Sequence, residues 1–269
     1  MININALPKL VFIGSGNLAT RLAIAFAEIQ CPVLQIYSRT EEAASVLAEK
    51  VKCPYTTNVG ALDKEADIYI CALKDDVLPE VLSHASLADK LVIHTAGSLS
   101  MDVLSPFTSR YGVFYPLQTF SKNRRVDFSK IPVFIESNNG DDLQIIKSLA
   151  EILSDAVYEA SSVQRQNLHL AAVFACNFVN HFYAIAADLV EKSDFSFNVL
   201  LPLIVETAEK LHSLTPHEAQ TGPAIRYDKN VIDKHLNFLE TDKTTQQLYK
   251  LISEHIYKYG KFQGKSDKN

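Results

Sequence analysis

The chain lacks the spacings that hold disulfides and metals. Its four cysteines, Cys31, Cys53, Cys71 and Cys176, stand far apart with no Cys-x-x-Cys pair. That pattern reads as reduced, mostly buried thiols of a cytoplasmic protein. The histidines show no His-Glu-x-x-His or related spacing, so no metal site is expected. No uninterrupted apolar run reaches the roughly 18–20 residues that a membrane span needs. The first five residues have neither the basic segment nor the apolar core of a signal peptide. Positive charge is not in excess either. The formal net charge is −5, which gives no reason to expect nucleic acid or an anionic membrane as a partner. The one basic cluster, Lys122-Asn123-Arg124-Arg125, is short and reads first as a solvated loop. With 269 residues, the chain has room for one large domain or two modest ones.

What the chain does have is an apolar run meeting a glycine turn: Leu10-Val11-Phe12-Ile13-Gly14-Ser15-Gly16-Asn17-Leu18-Ala19, followed by a helical pattern. This Gly-x-Gly-x-x-Ala is the strand–turn–helix that receives a dinucleotide pyrophosphate. Gly14 can take a tight turn that a Cβ would forbid. Gly16 lets the main chain approach the phosphates, and Ala19 lets the helix pack on the strand. Ser15, Asn17 and Leu18 complete the turn at the helix N-terminus, whose free N–H groups and dipole favour anions.

Apolar runs and helical patterns alternate through the first part. Candidate strands are Lys9–Ile13, Val33–Ser38, Ile68–Leu73, Leu91–Thr95, Gly112–Tyr115, Pro132–Glu136 and Ala156–Glu159. Helices are expected over Asn17–Gln30, Glu41–Val51, Val77–His84 and Asp141–Leu153. Several strands are continuous apolar runs, as in parallel sheets covered on both faces. The pattern predicts an α/β fold, a doubly wound and mainly parallel Rossmann-like sheet over residues 1–160, followed by an all-α domain over 161–269.

Ser161 or Ser162 is placed to cap a long helix that runs without Gly or Pro to about Lys192. It is apolar on most sides, so it must be covered all round. The remaining helical stretches, near Asn198–Leu214, Asn230–Leu239 and Thr244–Tyr259, are too few to cover it. The expectation is a homodimer formed through the C-terminal helices.

The tip of the second strand reads Ser38-Arg39-Thr40. An acid there would bind the ribose hydroxyls of NAD, whereas small hydroxyl residues with an arginine admit and neutralise a 2′-phosphate. NADP is therefore the expected cofactor. The alternative, that Ser38 and Thr40 only cap the next helix, is compatible with it. Ala72, Leu73 and Lys74 should cross the cofactor on the other side of the first strand, and Thr95 and Gly97 should lie beside the nicotinamide.

His94 could donate a proton there, or be a hydrogen-bonded histidine at a strand end. In the stretch Tyr115–Phe120, Gln118 and Thr119 could orient a substrate. The long helix carries His169, Asn177 and His181 at multiples of four, which places them on one helical face directed at the cofactor cleft or at a subunit interface. Arg226, with Asp228 orienting it, is a candidate anchor for a substrate carboxylate, or half of a structural pair.

Gly14–Ala19, Ser38–Thr40, His94–Ser98, Tyr115–Phe120 and Gly222–Asp228, in that order, resemble the motifs of NADP oxidoreductases that join a Rossmann-like domain to a helical domain of unknown function. These are relatives of pyrroline-5-carboxylate reductase and of the 6-phosphogluconate and β-hydroxyacid dehydrogenases. The resemblance implies a helical C-terminal domain like that of 6-phosphogluconate dehydrogenase and dimerisation through it. It also implies hydride transfer between NADPH and a small carbonyl or imine. The β-hydroxyacid dehydrogenases carry a lysine as general acid four residues before the helical asparagine, and here that position is Val173. Either His169 or His181 takes over the acid role, the substrate is an imine that needs no such acid, or the protein senses NADP without turning it over.

Overall fold

The computed structural model describes residues 7–266. Strand β1 (Leu10–Ile13) is fully buried and lies inside an eight-stranded sheet, third from one edge. It pairs in parallel with β2 (Val33–Tyr37) on one side, beyond which stands the two-residue β3 (Tyr55–Thr56). On its other side follow β4 (Ile68–Cys71), β5 (Leu91–His94) and β6 (Arg110–Pro116), all parallel. Strand β7 (Val133–Ser137) runs antiparallel to β6, and β8 (Val157–Glu159) parallel to β7. The chain crosses between strands through helices α1 (Asn17–Glu28), α2 (Glu41–Val51), α3 (Leu78–Ser83) and α4 (Gly140–Glu151). From β6 to β7 it returns by a loop without a helical crossover.

Side chains alternate through the sheet. Leu10 and Phe12 join Phe26, Phe114 and Ile146 in one core, while Val11 and Ile13 join Tyr69, Val92 and Leu104 in another. Both faces of β1 are thus apolar, which is why its sequence shows no alternation. Phe26 bridges Phe12 and Phe114 at ring centroid distances of 6.4 and 6.1 Å.

The strand order reverses its direction of growth between β1 and β4. The carboxyl ends of β1, β2, β4 and β5 therefore border the crevice where ligands of such sheets bind.

The long helix begins as expected. Ser161 caps it and exchanges hydrogen bonds with Gln164 in a capping box. It is not one α-helix, however. Helix α5 (Ser162–Ala172) passes through a π-helical segment, Val173–Phe178, into α6 (Val179–Glu191). Two compact units divide there, residues 1–178 and 179–269, so the first turns of the helix belong with the sheet. The second unit holds α7 (Leu201–Glu209), α8 (Pro223–Arg226), α9 (Lys229–Phe238) and α10 (Lys243–Ser266). The helix Ser162–Glu191 is long and apolar enough, by length and composition, to cross a membrane, although no unbroken apolar run within it is that long. On it Leu170, Phe174 and Phe178 are exposed among the described residues, Phe174 to 62%.

Candidate functional site

The glycine turn is built for an anion. Gly14 has φ +122°, and a Cβ there would overlap the carbonyl of Ala72. Gly16 differs: a Cβ there would meet nothing within 4 Å, so its missing side chain leaves space open to a ligand. Gly16 caps α1 with no side-chain hydrogen bond, and the first turn contains no acidic residue. The leading N–H groups of Asn17 and Leu18 are thus left without a protein acceptor, the arrangement that receives phosphate.

Beside it, Ser15 donates to Ser38 Oγ at 2.8 Å, tying the turn to the tip of β2. Thr40 occupies the N-cap of α2 but its side chain makes no capping bond, so its hydroxyl is uncommitted by the helix, and Arg39 is exposed. Lys122 is exposed, as in the solvated loop expected; with Ser15, Thr20, Glu42 and Lys50 it borders a cavity of about 200 Å³ on this side of the turn. On the other side, Ala72 N–H donates to the carbonyl of Ile13, Leu73 is half-buried and Lys74 is exposed. These residues fit an NADP molecule laid along the carboxyl ends of the strands.

At the end of β5 the structure corrects one expectation. His94 has no exposed surface, and its Nδ1 accepts from Ala96 N–H at 3.1 Å. Burial, reinforced by the positive charge of Arg165 and opposed by the backbone of Ser100, lowers its pKa to about 3. It is neutral at physiological pH and sealed from solvent. So placed, it braces the strand end and is not exposed to a substrate.

The neighbouring residues form a cluster that only the fold reveals. Tyr115, at the carboxyl end of β6, places its hydroxyl 3.1 Å from His169 Nδ1 on α5, with the two rings edge to face. Gly97 is buried against both: a Cβ there would lie 2.7 Å from His169 Nδ1 and 2.7 Å from Tyr115 Cζ. Desolvation raises the Tyr115 pKa against the opposing charge of Arg165, so the phenol is protonated at neutral pH. The contact can form in either direction: Nδ1 accepts from the phenol or, when it carries a proton, donates to the phenol oxygen. Thr95 N–H bonds the Cys71 carbonyl at 3.2 Å, linking the ends of β4 and β5.

His169 does not share its face with Asn177 and His181. The π segment bonds i→i+5 instead of i→i+4 and so turns the face by one residue, from Asn177 to Phe178. Asn177 and His181 are both exposed, and His181 lies in the second unit. Also in that unit, Arg226 is exposed and forms no ion pair among the described residues. Asp228 does not orient it: its Oδ1 accepts from Val231 N–H at 3.3 Å and caps α9. Gln118 and Thr119 are exposed, with Gln118 accepting from Thr119 N–H.

Tyr115 and Arg165 are the residues that sequence reasoning missed. Tyr115 carried a usable signal, its place at a strand's carboxyl end. For Arg165 the signal was the polar spacing Ser162, Arg165, Gln166, His169 along one helical face.

An uncapped glycine turn after a central strand, at the switch point of a parallel sheet, defines a Rossmann-type dinucleotide-binding protein. Residues 9–97 match the family described as NADP oxidoreductase coenzyme F420-dependent, and residues 131–256 match a domain of unknown function, DUF2520. The solved structure of a putative NADP oxidoreductase from Bacteroides fragilis is 49% identical over 95% of this chain and 100% of that one, with a TM-score of 0.89. A 1-pyrroline-5-carboxylate reductase from Streptococcus pyogenes is 18% identical over 94% of this chain and 99% of that one, with a TM-score of 0.63. A reductive aminase from Aspergillus terreus, in complex with NADPH and ethyl levulinate, is 17% identical over 95% of each chain, with a TM-score of 0.64. No curated protein sequence matches the chain. The chain belongs to this family of NADP oxidoreductases, and NADP is its cofactor.

Proposed function

We propose that the protein reduces a small carboxylate-bearing carbonyl or imine with NADPH, and that the His169–Tyr115 pair supplies the proton. The observation that carries this reading is the 3.1 Å contact of Tyr115 Oη with His169 Nδ1, packed on Gly97 at the carboxyl end of the sheet. NADPH, when bound, supplies the hydride. The chain's own work is to bind, orient and protonate. Gly14, Ser15, Gly16, Asn17 and Leu18 hold the pyrophosphate, Ser38, Arg39 and Thr40 hold the 2′-phosphate, and Ala72, Leu73, Lys74, Thr95 and Gly97 border the nicotinamide half. In its imidazolium form His169 delivers the proton from Nε2 and is left neutral, its remaining proton on Nδ1 directed at Tyr115 Oη, which fixes the ring. This pair stands in for the lysine that Val173 replaces. Arg226 is proposed, on its chemistry alone, as the group that binds the substrate carboxylate.

The uncovered apolar side chains support a homodimer through the C-terminal helices. Leu203 is 63% exposed, and Leu189, Val199 and Val205 are exposed with it in the second unit. Such a surface on a monomer is larger than solitary apolar residues account for. A cytoplasmic location agrees with the free cysteines.

The test is NADPH oxidation by the purified protein against a panel of 2-oxo acids and cyclic imino acids. Turnover of at least one member is expected. NADPH binding without turnover of any member would instead favour the reading as an NADP sensor, which the absent lysine at Val173 motivates.

A further inference from the structure

A guanidinium with no exposed surface needs acceptors for its donors. Arg165 is such a group, and its partners are specific. Nε donates to the Ala96 carbonyl at 3.2 Å, and Nη2 donates to the Leu99 carbonyl and, at 3.2 Å, to Ser162 Oγ. Nη1 pairs with Glu136 of β7. The same carboxylate accepts from Ser162 N–H and Ser162 Oγ, both at 2.8 Å.

The neighbours on α5 continue the pattern. Ser162 Oγ accepts from Met101 N–H at 3.0 Å, and Gln166 Nε2 donates to the Ser98 carbonyl at 3.0 Å. Ser162, Arg165, Gln166 and His169 thus form one helical stripe that meets Met101, Leu99, Ser98 and Gly97 in reverse order. From its other side the loop is held by His94, through Ala96 N–H, and by Asp75, through Ser98 Oγ. The hydrogen bonds from α5 to residues 96–101 all join a polar side chain to main chain. Apolar packing of equal volume would secure the helix as well. What main-chain bonds add is a fixed place for each loop residue.

We infer that the Glu136–Arg165 pair is a positioning device for the nicotinamide end of the site. It sets where the main chain of residues 95–99 stands relative to His169 and Tyr115. The inference rests on the reading above, in which this loop borders the nicotinamide. It separates the two halves of the cofactor, because the adenosine half is held by β1 and β2, which the pair does not touch.

The experiment compares two ligands by calorimetry, NADPH and 2′,5′-ADP, the latter carrying only the adenosine half. The first variant is the double replacement Glu136→Gln with Arg165→Met, which leaves no uncompensated buried charge. The second is Gln166→Ala, which removes one exposed anchor of the Ser98 carbonyl and leaves the charge pair intact. In the double variant, NADPH affinity is expected to fall at least tenfold with 2′,5′-ADP affinity within twofold. Gln166→Ala should show the same split at about threefold. Unchanged NADPH affinity in either folded variant overturns the inference, as does an equal loss for both ligands. If the unaltered protein binds neither ligand, the cofactor reading itself fails, and that result is distinct from both.

Discussion

His94 makes folding stability depend on acid in a calculable way. In the folded chain it stays neutral down to about pH 3, whereas in the unfolded chain it takes up a proton near the ordinary histidine value of 6.5. Its folded pKa is lowered, so between these values the unfolded state binds more protons and stability falls as pH falls. Each unit is worth about 1.4 kcal/mol, so from pH 7 to pH 4.5 this one side chain removes about 2–3 kcal/mol. That is a substantial share of the 5–15 kcal/mol typical of a domain. The assay is urea denaturation at both pH values for the wild type and for His94→Gln, which keeps an acceptor for Ala96 N–H but cannot titrate. Carboxylates such as Asp142, held below the ordinary range by Arg110 and Asn139 despite their desolvation, contribute equally to both proteins and cancel in the difference. The wild type should lose about 2–3 kcal/mol more than the variant over this interval. Equal losses would refute the argument and reopen a role for a protonated His94.

Other outcomes follow from the same geometry. Gly97→Ala should push His169 from Tyr115, cost about 1–3 kcal/mol in stability by overpacking and abolish turnover while leaving 2′,5′-ADP binding intact. Arg39→Ala should erase most of the preference for NADPH over NADH, and Lys122→Ala should weaken NADPH a few-fold with NADH nearly unaffected; titration by nicotinamide fluorescence reads both. Burial raises the thiols of Cys31 and Cys71 to about 12, so neither should react with a thiol reagent until the protein unfolds, as mass spectrometry of the alkylated protein would report.

The elements legible in the sequence are those whose chemistry is local. The turn at Gly14 demands a residue without a Cβ, the apolar runs of β1 and β4 announce burial on both faces, and Ser161 with Gln164 writes a helix start in four residues. The missed features are set by distant partners. The Glu136–Arg165 pair joins residues 29 apart in the chain; the polar spacing around Arg165 marks a helical face but not what meets it, and nothing local marks Glu136 as its partner. The π segment contains no Gly or Pro to mark it, so the spacing of His169, Asn177 and His181 gave a false common face. Asp228 shows the opposite error: a local helix cap was read as a partner for Arg226, because Asp serves both purposes and the spacing does not distinguish them. Strand β3, two residues long, is too short to show any periodicity.

The central claim is that His169, held by Tyr115, delivers the proton during reduction. The most direct measurement is a single-turnover, stopped-flow record of reduced-nicotinamide absorbance for NADPH-loaded wild type and His169→Ala, using a substrate found in the panel. The account predicts a reduction step slowed by about 10²–10⁴-fold, with NADPH affinity unchanged. An unchanged rate in the folded variant would contradict it.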